Sequence, residues 1–226
     1  MYKLNTELAS KADNIGAYIN ETGKYVGTFI RAEKLVSQNK GTDGIGFTFR
    51  SDDGRECRFD IWTQKPTGEA LMGMNQLNAI MACMQLRGIE VKNAQVKKWD
   101  NDAQQETLQV AECFPDLMNK PIGLLLRSEE YEKMQDRMPT GEYGWRMGFF
   151  AVFQASTELM ASEILARKTK PEQLAKVIGL LADKPMKKKG SSANHTPRGA
   201  GGPPPTDFDD DIPFAPPFRG KQLLAI

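Results

Sequence analysis

Two alternating runs joined by a tight turn constrain this chain more than any other feature. In residues 44–51 (GIGFTFRS), Ile45, Phe47 and Phe49 fall on one face, and Thr48 and Arg50 on the other. Residues 56–63 (ECRFDIWT) alternate again, setting Cys57, Phe59 and Ile61 against Arg58, Asp60 and Trp62. A period of two is the signature of a half-buried strand. The intervening Asp52-Asp53-Gly54 has the chemistry of a hairpin turn. Upstream, residues 23–36 (GKYVGTFIRAEKLV) are rich in β-branched and aromatic side chains and read as one long strand. These three segments predict an antiparallel meander.

Leu71, Met74, Leu77, Met81 and Met84 then recur at steps of three and four, which predicts a helix with one apolar stripe, ended by Gly88. Its methionines have core spacing rather than the look of a ligand box. Residues 91–99 and 107–113 suggest a further hairpin. Residues 120–131 and 144–153 read as two more strands, with Pro139 and Gly141 in a loop between them. The last strand is apolar on both faces, so it should lie inward on one side and under terminal helices, or a second copy of the chain, on the other. Those helices are expected at 157–167 and 171–182, the second opened by a Thr169–Glu172 capping box. The fold class is therefore mainly β with helices (α+β). Three strands, a helix and two strands is the order of an OB-fold, a five-stranded barrel with its helix between strands 3 and 4. Phe29, Phe47, Phe49, Phe59, Phe149 and Phe153 are expected in its core.

Composition narrows the chemistry. Of 226 residues, 30 are Lys or Arg and 29 Asp or Glu, so this is not a uniformly basic nucleic-acid coat. Cys57, Cys83 and Cys113 are far apart, with no CxxC, which argues against a disulfide framework or a cysteine-rich zinc site. The lone histidine, His195, lies in a Gly/Ser/Pro-rich stretch, which argues against His-based nucleophilic catalysis and multi-His metal sites. No cofactor is expected. The first residues lack the apolar core of a secretory signal, and no apolar run approaches membrane-spanning length. A cytoplasmic protein without a membrane partner is expected.

The charges are sorted into blocks. A body over residues 1–183 is slightly acidic. Residues 184–206 hold Lys184, Lys187, Lys188, Lys189 and Arg198 and no acid, in a Gly/Pro-rich context that predicts a disordered basic linker. Residues 207–226 begin with Asp207, Phe208, Asp209, Asp210, Asp211, Ile212, Pro213 and Phe214. Such a peptide suits docking on a partner, with aspartates steering it to a basic patch and Phe214 entering an apolar pocket.

That stretch, DFDDDIPF, resembles the C-terminal tip of bacterial single-stranded DNA-binding proteins. Leu4-Asn5-Thr6-Glu7-Leu8 and the runs GKYVGTFIRAE (23–33), FRSDDGR (49–55) and MNQLNAIMACMQLRG (74–88) resemble a phage- and prophage-encoded family of single-stranded DNA-binding proteins. This second resemblance covers roughly residues 1–150. It implies an OB-fold that coats single strands in the bacterial host cytoplasm, and a tail that recruits host or phage replication and recombination enzymes. One departure is that twelve residues follow Phe214, which denies it the free carboxylate of the bacterial tip.

Sequence-independent strand binding needs cations for phosphates and aromatic faces for bases. The candidates are Arg31, Lys34, Arg50, Arg58, Trp62, Lys97, Lys98, Trp99 and Arg146. For each cation the competing expectation is an ordinary solvated charge, and for Trp62 and Trp99 a packing role. A basic linker adds further phosphate contacts. Strand annealing, a protein-interaction adaptor and, more remotely, a nuclease are the alternatives. The nuclease fragments are Glu90-Val91-Lys92 and Pro115-Asp116, in reversed order. No GxxxxGK[ST] phosphate loop occurs, which argues against an ATP-driven motor.

Overall fold

The computed structural model describes residues 17–100, 105–135 and 138–186. The chain divides into two units, Met1–Lys187 and Lys188–Ile226, and every described residue belongs to the first. It is mainly β. The strands are β1 (Gly23–Val36), β2 (Asp43–Ser51), β3 (Glu56–Gln64), β4 (Lys92–Asp100), β5 (Gln105–Cys113), β6 (Pro121–Gln135) and β7 (Met138–Phe153). Helices α1 (Met72–Cys83), α2 (Ala161–Leu165) and α3 (Gln173–Gly179) accompany them, with a 3₁₀ turn at Pro115–Leu117. None of these helices is long and apolar enough to cross a membrane.

All seven strands join one antiparallel sheet, ordered β3-β2-β1-β5-β4, with β6 also on β1 and β7 on β6. The sheet is open, which departs from the closed five-stranded barrel expected. The predicted extra hairpin, β4–β5, is part of the sheet rather than an appendage, because Cys113 pairs with Glu33 at the far end of β1.

One irregularity makes this possible. The β1–β2 register slips between Phe29 and Arg31. Such a bulge bends a strand and reverses its inside–outside phase. Tyr25 and Phe29 are buried before it, and Ala32 after it. The bent strand then has room for two neighbours along one edge. β6 pairs with residues 23–28, and β5 with Glu33. Between them the Phe114 and Asn119 N–H groups donate to the Ala32 and Phe29 carbonyls, at 2.8 and 2.9 Å.

The inward faces fuse into an aromatic core. Phe29 lies 4.6 Å from Phe47 and Phe47 5.5 Å from Phe59, centroid to centroid. Leu77, Ile80 and Cys83 of α1 join the same cluster. α1 ends at Cys83, ahead of Gly88; the left-handed turn is made by Gln85 (φ 57°). The end of β7, residues 147–153, is covered on both sides, as its sequence predicts. Val152 faces the main core, while Ala151 and Phe153 pack with Met160 and Leu174.

Two further expectations fail. The loop expected around Pro139 and Gly141 is instead the end of a long β6–β7 arm, closed by Gln135↔Met138. Gly141 (φ 74°) and the Thr140 hydroxyl, donating to the Lys133 carbonyl at 2.9 Å, let the strands continue past Pro139. The terminal helices are also shorter than expected, and Thr169–Glu172 builds no capping box. Glu163, only 1% exposed, supplies the cap. Its carboxylate accepts the N–H groups of Met160 (3.0 Å), Glu172 (2.7 Å) and Gln173 (3.0 Å), satisfying the starts of both α2 and α3. Burial opposes its charge, but the three backbone donors outweigh that and hold its carboxyl below the ordinary value.

Glu163 therefore contributes stability that is complete above the ordinary carboxylate pKa and is lost as pH falls through the lowered one. Glu163→Gln should lose about 1–3 kcal/mol in urea unfolding near neutral pH, because the amide nitrogen cannot accept the third N–H. The deficit should shrink on acidification. A deficit that is constant down to the acid transition would mean that the charge contributes nothing.

Candidate nucleic-acid interface

Register sets the outward face of β1–β3 in rows. Thr28, Arg50 and Glu56 form the first; Arg31, Thr48 and Arg58 the second; Glu33, Gly46 and Asp60 the third; Leu35, Gly44 and Trp62 the fourth. Arg31, Arg58 and Trp62 are thereby brought to one surface, with Arg50 one row away. Beyond β3 the surface meets β7, where the Phe59 and Phe149 rings sit 5.8 Å apart on the inner side. Arg146 of β7 approaches Asp60 and stands 5.6 Å from the Tyr131 ring centroid.

The position of Trp62 depends on what opposes it. A Cβ on Gly44 would fall 2.8 Å from Trp62 Cε3 and 2.9 Å from the Ile61 carbonyl. Only a glycine lets the indole rest on the neighbouring strand. The indole is thus packed against β2, yet 38% of the residue stays exposed. The packing and stacking roles weighed for Trp62 coexist in this geometry.

The cations differ in availability. Arg50 is held by Glu56 at 2.6 Å, and Arg31 has Glu33 at 3.8 Å. Lys34 is opposite the buried Ile45, on the other side of β1, and meets Glu112 at 3.4 Å. It lies three residues past Arg31 in unbroken register and so alternates to the opposite face, and Lys34 does not belong to this surface. Arg58 is exposed, and neither it nor Arg146 has an ion pair among the described residues. The face is mixed in charge rather than a basic stripe. Burial pushes the Asp60 carboxyl above its ordinary value, with Arg146 pulling it back.

Lys97, Lys98 and Trp99 lie on β4, opposite Leu108, Thr107 and Glu106. β4 ends the strand order on the far side of β1 from β2 and β3, so the structure does not bring the KKW run to the Trp62 face. Asp207, Phe208, Asp209, Asp210, Asp211, Ile212, Pro213 and Phe214, with most of the linker before them, lie outside the described residues.

The β6–β7 arm holds rings that reading residues 132–143 as a loop concealed. Trp145 is 53% exposed, with Tyr143 two residues away and Tyr131 lying across Gly144. The Tyr143-x-Trp145 spacing was the available signal, since alternate strand residues share a face. The two nuclease fragments do meet. The Glu90 N–H donates to Asp116 at 3.2 Å, and Lys92 is 3.7 Å from Glu90. No third carboxylate joins them, and no group of three potential metal ligands occurs among the described residues. Burial pushes the thiols of Cys57 and Cys83 up to about 12, so neither is a thiolate at neutral pH.

No protein-family model matches this chain, and no curated protein matches it in sequence.

The Gly44–Trp62 contact yields a direct prediction. Gly44→Ala should lift the indole and destabilise the fold by about 1–3 kcal/mol, as over-packing does. The check is urea unfolding together with indole emission in a chain whose Trp99 and Trp145 are replaced by Phe. Unchanged emission would mean that the ring does not rest on Gly44.

Proposed function

We propose that this protein binds single-stranded DNA without catalysis, across the outer face of β1–β3, and recruits replication, recombination or repair partners through the acidic tail at residues 207–214. The open sheet is read as a variant OB-type barrel. β1 lies between β2 and β6, a helix follows β3, and β3 leans toward β7 without ladder bonds, the β4–β5 hairpin being inserted between α1 and β6. A body, a basic linker and a docking tail remain the proposed organisation, in a bacterial cytoplasm.

One observation carries the reading. Trp62 rests against Gly44 with 38% of the residue exposed, on the same face as Arg58, four residues along β3, and Arg31, both two rows away. A surface of this kind stacks on bases of any sequence and meets phosphates beside them, and it needs no nucleophile. The acids among the cations mean that stacking supplies more of the affinity than charge does.

Titration with oligo-dT, followed by indole quenching, tests the proposal. Trp62→Ala should weaken binding by about 1–3 kcal/mol. Affinity should fall with salt, at a log–log slope of about −0.7 per phosphate contact. Deleting residues 207–226 should leave strand affinity unchanged or raised while abolishing partner capture. Loss of strand binding in that deletion would overturn the division of labour. Magnesium-dependent shortening of the oligonucleotide would indicate a nuclease instead.

A further inference from the structure

A surface built only to follow phosphates has no use for a carboxylate, yet Asp60 stands on β3 between Arg58 and Trp62. It is opposite Gly46, and its Oδ1 lies 3.3 Å from where a Cβ on that glycine would be, with Leu35 Cδ1 2.9 Å from the same point. The carboxylate therefore leans over bare backbone beside a methyl group. It makes no hydrogen bond or ion pair among the described residues. Asp60 is exposed to solvent, though partial burial of its carboxyl pushes its pKa up against the pull of Arg146. An exposed acceptor with no protein donor among the described residues, one row from an exposed aromatic ring, is open to a donor brought by a ligand.

Two residues along a strand advance about 7 Å. A base stacked on Trp62 would thus bring its hydrogen-bonding edge within reach of Asp60. An ionised carboxylate only accepts, so the partner edge must donate. Cytosine offers the N4 amino group, whereas thymine and uracil present the O4 acceptor at the same place. Acceptor facing acceptor leaves both unpaired and repels.

We propose that Asp60 is a base-reading residue that takes a hydrogen bond from the exocyclic amino group of a base stacked on Trp62, so that this face prefers cytosine to uracil or thymine. The proposal rests on the single-strand reading of the face and adds a base preference to it. It also explains why the acid is not replaced by a further cation.

The test compares oligo-dC with oligo-dU of equal length, on the full chain, by fluorescence anisotropy at mildly alkaline pH, where cytosine is unprotonated. The wild type should bind oligo-dC about tenfold more tightly. Asp60→Asn should remove that difference, chiefly by strengthening oligo-dU, because its amide can donate to O4. Circular dichroism checks that the variant is folded, and the wild-type preference stands as a readout that needs no variant. Equal wild-type affinities would overturn the proposal. So would an Asp60→Asn variant that gains equally for both oligomers, since the carboxylate would then act only by repelling phosphates. Failure to bind either oligomer in dilute buffer would instead remove the single-strand reading itself.

Discussion

The slip in pairing between Phe29 and Arg31 governs the rest of the sheet. A straight, regular β1 would have one partner along each edge and one phase of burial. With the bulge, its first half packs Tyr25 and Phe29 inward and its second half Ala32. The edge away from β2 is shared between β6 and β5. Everything carried by those strands depends on that bend: the arm of β6–β7, the edge hairpin of β4–β5, and the approach of β7 to β3.

The same slip explains where sequence reading succeeds and where it stops. β2 and β3 keep strict alternation around Asp52-Asp53-Gly54, so their limits, their inward phenylalanines and the outward Arg58 and Trp62 are visible from composition alone. β1 is visible as a strand but not as a bent one; Arg31 and Lys34, three residues apart, must fall on opposite faces, but only the register shows which of them shares the face of Arg58 and which turns toward Glu112. The arm was hidden for a different reason. Pro139 and Gly141 signal a turn locally, while cross-strand pairs such as Glu132↔Tyr143 and Glu130↔Trp145 are non-local and override that signal. The Glu163 cap was equally hidden, because its donors lie nine and ten residues away, across a loop.

The candidate face sets a hydrophobic contact and polar groups in adjacent rows. Trp62 is packed on Gly44 while more than a third of the residue stays exposed, so its position is constrained before any ligand arrives. Preorganisation of this kind lowers the ordering entropy that binding would otherwise have to overcome. The carboxylates at Glu33, Glu56 and Asp60 keep the surface from acting as a general polyanion trap. That suits a molecule whose total charge is close to zero.

The seam between β3 and β7 sets the body's weak line. Elsewhere neighbouring strands are stitched by backbone ladders, but across this gap the described contact is a pair of rings, Phe59 and Phe149, with α1 packed nearby. Side-chain packing yields to small sliding motions that a ladder resists. Amide protons on the facing edges should thus trade with deuterium sooner than those inside the β1–β2 ladder, and a swelling of the wall would begin there, next to Trp62, without disturbing the meander that anchors it.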